Sequence, residues 1–224
     1  MIDTAYHSPR VTQTCPLGPS VKGVRMPQID YFFATLSPYV YIAGTRFEEI
    51  AARYGAEITY KPMDVVALFP RSGGQAPKDR HPSRVEYRAQ ELRRQSKKAG
   101  LPFNLRPAFW PTNAAPSSYA IINAQKAGGG DMGLLVHAIT RACWSEEKDI
   151  AEEAVIRAAL EEAGFDPELA ESNMMGAADE YASNLEEAVR RGVFGSPFYI
   201  TDTDERFWGQ DRLGDLALHL SGQL

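Results

Sequence analysis

The feature that most constrains this chain is a strand–helix–strand run near its start, followed by a helical stretch so long that strand signals return only at residue 198. Ile29-Asp30-Tyr31-Phe32-Phe33 is a short apolar, aromatic run of the kind that forms a buried strand. Leu36-Ser37-Pro38 then places a serine at an N-cap and a proline at the first helical position. Tyr39, Ile42, Ala43, Phe47, Ile50, Ala51 and Tyr54 share one helical face, which Gly55 ends. Glu57 to Lys61 reads as a second strand, stopped by Pro62. A strand, a helix and a strand in this order require the two strands to lie parallel, because the helix carries the chain back to the starting edge.

The following segment is helical in pattern. Ser83–Ala99 closes at Gly100, and Pro116–Ala127 at the glycines after it. Apolar stripes through Leu135 to Cys143, Val155 to Ala163 and Ala178 to Val189 predict further helices, with another restart at Asp166-Pro167. Phe198–Thr201 and Arg206–Trp208 are strand-like, joined by Asp202-Thr203-Asp204-Glu205, which has hairpin chemistry. Leu213, Leu216, Ala217 and Leu220 make a closing helix. The order β-α-β … β-β-α predicts an α/β, thioredoxin-like fold with a large all-helical insertion. Residues 28–61 and 193–224 form the thioredoxin-like domain and 62–192 the inserted helical domain. Met1 to Pro27, rich in proline and glycine and without period, reads as a disordered leader, and Met26 offers an alternative start.

Composition removes several classes of function. Twenty-four Lys and Arg stand against 29 Asp and Glu, a net charge of −5, which argues against a dedicated nucleic-acid binder. Cys15 and Cys143 cannot supply a disulfide framework, and neither belongs to a C-x-x-C. No apolar run reaches the length of a membrane span and the start lacks signal-peptide character, so the expected location is cytoplasmic.

In a thioredoxin-like fold the reactive group sits where the first strand hands over to the first helix, and here that turn reads Ser37-Pro38-Tyr39-Val40. Dithiol exchange needs an attacking and a resolving thiol, and this turn has neither. A serine there can still donate a hydrogen bond to a bound thiolate, aided by the helix N-terminus, and lower the thiol's pKa. An ordinary N-cap is the plainer alternative. Gly195-Ser196-Pro197-Phe198 places a proline at the entry of a strand, where such folds carry a cis peptide that exposes the backbone of Ser196 to an extended ligand. A trans proline starting an edge strand is the alternative.

Three motifs in order, Asp30-Tyr31-Phe32 with Ser37-Pro38-Tyr39, then Gly192-Val193-Phe194-Gly195-Ser196-Pro197, then Phe207-Trp208-Gly209-Gln210-Asp211-Arg212-Leu213, resemble the 2-hydroxychromene-2-carboxylate isomerase family. That family is a close relative of the kappa-class glutathione transferases and shares the DsbA-like, helix-inserted thioredoxin fold. The resemblance implies glutathione as cofactor and a glutathione-dependent cis–trans isomerisation of a small aromatic carboxylate by reversible thiolate addition. A kappa-like transferase or peroxidase, or a redox-inactive binding module, are the alternatives. It assigns Ser37 to the glutathione sulfur, Ser196 and Pro197 to the cysteinyl part, and Gln210 and Asp211 to the γ-glutamyl end, where the Asp211 carboxylate suits an ammonium group. Asp211 could equally cap the closing helix. The family's Ser-Gly-Asn-x-Pro-Pro loop is Ser72-Gly73-Gly74-Gln75-Ala76-Pro77 here, so Gly74 stands at the Asn position and the contact is lost or moved to Gln75. Relatives suggest a homodimer.

The insertion offers candidates for the substrate. Nine Lys or Arg lie between Arg71 and Lys98 against Asp79, Glu86 and Glu91, whereas Ser145 to Glu187 holds fourteen acids against Lys148 and Arg157. A basic stretch beside the site would attract anions, although a solvated helix face reads the same way. Arg84 and Arg88, one turn apart, are the candidates there. Tyr39, Asn113, Trp110 and Phe69 could line an aromatic pocket or pack in the core. The G-x-G-x-x-G at Gly128–Gly133 follows a helix rather than a strand and reads as a helix cap, and the histidines have no metal-ligand spacing.

Overall fold

A computed structural model describes residues 26–224; the expected leader, Met26 and Pro27 apart, lies outside the described residues. Strand β1 (Gln28–Phe33) runs inside a four-stranded sheet of order β2-β1-β3-β4. β2 (Glu57–Pro62) pairs with it in parallel, Gln28 opposite Glu57 and Phe33 opposite Pro62. β3 (Phe198–Thr201) pairs antiparallel on its other side, and β4 (Arg206–Trp208) completes the hairpin. β1 is covered on both faces, which explains its apolar run, interrupted only by Asp30, whose carboxylate pairs with Lys61 and Arg191. Pro62 ends an edge strand, where a missing N–H costs little.

The helical face from Tyr39 to Tyr54 is divided. Helix α1 (Pro38–Ala43) stops at Gly44, whose φ of 61° and ψ of −138° lie outside the helical region, and α2 (Arg46–Tyr54) starts again at Thr45. Both pieces keep the apolar spacing, so periodicity alone could not show the break; the glycine was its only local signal.

The insertion contributes α3 (Val65–Leu68), α4 (Pro82–Ala99), α5 (Ala115–Ala127), α6 (Met132–Trp144), α7 (Glu153–Glu162) and α8 (Met174–Arg190). Asp166-Pro167 opens only a short 3-10 turn, Pro167–Ala170. The glycine-rich run closes α5 at Gly128, and Asp131 caps α6 by accepting from the amide of Leu134 at 2.9 Å. The chain closes with α9 (Leu213–Leu220).

Two cores flank the sheet. On one side Ile29, Tyr31, Phe33 and Tyr199 pack with Ile121, Leu135, Ile139 and Trp144 of α5 and α6. On the other, Phe32, Phe198 and Ile200 meet Met63, Leu68, Ala188 and Val193. Each such fully buried large side chain contributes about 1.5–3 kcal/mol of apolar transfer free energy. Because the inserted helices share a core with β1, they hold the β1–α1 turn against the rest of the molecule. No described helix is long and apolar enough to cross a membrane.

Candidate functional site

Ser37 takes extended angles, φ −79° and ψ 121°, ahead of Pro38 at the first helical position, as an N-cap residue does. Its side chain makes no capping bond. The hydroxyl donates instead to the carbonyl of Ser196 at 3.2 Å. In return the Ser196 hydroxyl accepts from the amide of Ala34 at 2.9 Å. Two hydrogen bonds across 159 and 162 residues of sequence therefore close the β1–α1 turn onto the loop before β3. The Ser196–Pro197 peptide is cis, and Ser37 is buried, at 8% exposure. With α1 only six residues long, the help expected from its N-terminus is small, and the hydroxyl is the principal donor in this turn.

The carbonyl of Pro197 accepts from Gly209 at 3.0 Å, which draws the β4–α9 turn to the same place. Gly209 has φ 104°, and a Cβ there would lie 2.6 Å from the Asp211 carboxylate, so glycine permits both the turn and the approach of that carboxylate. Gln210 is buried. Asp211 is exposed, and its carboxylate lies 3.4 Å from Arg212. Arg212, not Asp211, is the N-cap of α9, so the capping alternative for Asp211 does not hold. Ser37, Ser196, Pro197 and the Gln210–Asp211 turn thus form one contiguous region.

Of the substrate candidates, Tyr39 and Arg88 are brought together. The Arg88 guanidinium sits over the Tyr39 ring at 6.0 Å. Burial lowers the pKa of Arg88 and raises that of Tyr39. Arg84 is exposed, and its side chain makes no hydrogen bond or ion pair among the described residues. Asn113 uses its side-chain oxygen to accept from the amide of Ala115 at 3.0 Å, a local turn that starts α5. Trp110 packs on Trp144 in the larger core, the packing role open to it from sequence. Gln75 is exposed in the loop after α3. Arg80 was missed: it stacks over Phe69 at 5.7 Å, and burial and then the nearby Arg84 charge lower its pKa. Sequence shows it only as one member of a basic stretch. Among the described residues neither Arg80 nor Arg88 has a carboxylate within ion-pair distance, so two partly desolvated cations stand on aromatic rings without an anionic partner. Cys143 is buried and its thiol is pushed up to about 12, which leaves it unreactive.

A mixed sheet with an inserted helical block, a cis-proline loop, and serine rather than cysteine at the first strand–helix turn define a thioredoxin-fold protein without a thiol at that turn. The chain belongs to the DsbA-like thioredoxin domain family, whose model matches residues 28–221. It is 28% identical to the 2-hydroxychromene-2-carboxylate isomerase of Sphingobium xenophagum, over 86% of this chain and 97% of that protein. It is 26% identical to glutathione S-transferase kappa 1 of Caenorhabditis elegans, over 86% and 90% respectively. Among solved structures, a 2-hydroxychromene-2-carboxylate isomerase superposes with a TM-score of 0.67 at 26% identity, covering 87% of this chain and 95% of that one. The cytosolic disulfide reductase DsbM of Pseudomonas aeruginosa shares the fold, at a TM-score of 0.65 and 19% identity over 88% and 98%.

Proposed function

We propose that the protein is a glutathione-dependent cis–trans isomerase of a small aromatic carboxylate, of the 2-hydroxychromene-2-carboxylate isomerase type. The observation that carries this reading is the Ser37 hydroxyl resting on the Ser196 carbonyl beside a cis proline. The relatives named isomerase, which match 86% and 83% of this chain, agree with it.

The residues present fit glutathione. The Ser196 backbone next to Pro197 offers an edge for the cysteinyl unit, Asp211 an anion for the γ-glutamyl ammonium, and Ser37 a hydroxyl for the sulfur. Bound glutathione would supply a thiolate whose reversible addition to a conjugated carbon turns a double bond into a rotatable single one and restores it on departure. In the free protein the single Ser37 proton is held by Ser196. A cysteinyl N–H taking that carbonyl lets the hydroxyl turn its proton toward the sulfur, which favours the ionised thiol. In this reading Arg88, which lies over Tyr39, receives the substrate carboxylate and Tyr39 flanks its ring.

The test is an absorbance assay for isomerisation with total thiol followed in parallel, in wild type and Ser37→Ala. Turnover with constant free glutathione supports the proposal. Thiol falling in step with product would favour a kappa-like transferase, the second reading, which rests on the kappa-class relatives.

A further inference from the structure

Phe69 packs in neither hydrophobic core, although it is half-buried. What covers it is the loop that follows. Its carbonyl accepts from the amides of Ser72 and Gly74, at 3.2 and 2.8 Å, so the loop closes over the residue itself. A Cβ at Gly74 would lie 2.7 Å from the ring carbon Cδ1 and 3.3 Å from the Phe69 Cα. Glycine at 74 is therefore required by the approach of the ring, not by its own backbone angles. Arg80 stacks on the ring at 5.7 Å, and its Nε donates to the carbonyl of Gln75 at 3.0 Å, so the guanidinium is held there by the same loop. Helix α4, which begins just after Arg80, packs on α1 and sets Arg88 over the Tyr39 ring at 6.0 Å, which puts this assembly beside the turn carrying Ser37.

A fixed aromatic ring outside the core, next to a desolvated cation without a carboxylate, is a surface for a planar group. Gly74 and Phe69 are thus a pair, the ring filling the space that a side chain at 74 would take. We propose that Phe69, with Arg80 stacked on it, is a specificity-determining shelf that selects a planar aromatic group presented at the glutathione sulfur. This inference rests on the glutathione reading.

The test compares dissociation constants, by calorimetry, of S-methylglutathione and S-(1-naphthylmethyl)glutathione in wild type, Phe69→Leu and Gly74→Ala. Wild type should prefer the naphthyl ligand. Phe69→Leu, which keeps an apolar side chain, should cut that preference about three- to tenfold while S-methylglutathione binds within about twofold of wild type. Gly74→Ala should act in the same direction, because its methyl group pushes the ring from its place. An unchanged preference in Phe69→Leu, or an equal loss for both ligands, overturns the shelf. Failure of wild type to bind S-methylglutathione would instead overturn the glutathione reading itself.

Discussion

The hydroxyl of Ser37 lies 3.2 Å from the carbonyl of Ser196, and this contact, together with the Ala34 amide on the Ser196 hydroxyl, joins the first strand–helix turn to the cis-proline loop. Removing it separates two effects. Ser37→Ala loses only a neutral hydrogen bond in the free protein, so stability should change by about 1 kcal/mol or less. A hydrogen bond to a thiolate is worth about 1.5–3 kcal/mol, so kcat/KM at neutral pH should fall about 10- to 150-fold. Urea unfolding and initial rates, measured on the same preparation, check the pair of values.

Ser196→Ala should behave in the opposite way. It leaves the amide of Ala34 without the acceptor that now sits 2.9 Å away. A buried unpaired amide costs about 1–3 kcal/mol, and chemical denaturation should register that loss even without ligand.

Asp211 is about half exposed and already faces Arg212 at 3.4 Å. A partly solvated pair with an ammonium group is worth roughly 1 kcal/mol at most, so Asp211→Asn should weaken glutathione binding about three- to fivefold. Cysteinylglycine, which lacks the γ-glutamyl ammonium, should bind wild type and variant alike. Calorimetric titration of both ligands distinguishes the outcomes.

Arg88 is desolvated over Tyr39 and lacks a carboxylate partner among the described residues. Arg88→Met keeps the packing length and removes the charge. KM for the carboxylate substrate should rise about tenfold or more, with glutathione affinity unchanged, as steady-state kinetics with each partner varied in turn would show.

Glu48 on α2 accepts from the Tyr60 hydroxyl at 3.2 Å, while its other carboxyl oxygen is buried without a partner. Burial raises its pKa to about 7, with smaller contributions from Asp131 and Glu49. In the unfolded chain the group titrates near an ordinary glutamate value of about 4.3. Between those values the native state holds the proton and the unfolded state does not. Stability from this group is therefore full below about pH 4 and is lost as pH rises through about 7, by a few kcal/mol in all. Glu48→Gln should flatten that slope and be the more stable protein at pH 8, by thermal unfolding across pH.

The strand runs at Ile29–Phe33, Glu57–Lys61 and Phe198–Thr201, the helical stripes of the insertion and the glycines that stop them are local patterns, and the structure follows them closely. The exceptions have local causes of another kind: Gly44 splits a stripe whose apolar spacing continues through the break, and Asp166-Pro167 starts a turn too short to become a helix. Ser37 and Ser196-Pro197 were legible because the fold assigns a place to the first turn and to the proline before the third strand. Arg80 was not, since nothing in a run of nine basic residues marks the one that will stack on Phe69. Asn113 and Arg84 looked equivalent to Tyr39 and Arg88 for the same reason.

What the amino-acid sequence determined by itself was the order of elements, the parallel start of the sheet and the absence of a thiol at the reactive turn. These follow from periodicity, caps and residue identity, which act over a few neighbours. The tertiary structure alone decided that the Ser37 hydroxyl faces Ser196, that Gly74 makes room for the Phe69 ring, and that Arg88 rather than Arg84 turns inward. Each of these depends on the closure of loops or the packing of a helix against distant elements, and the direction in which a side chain meets such a neighbour is set by packing, not by its own stretch of chain.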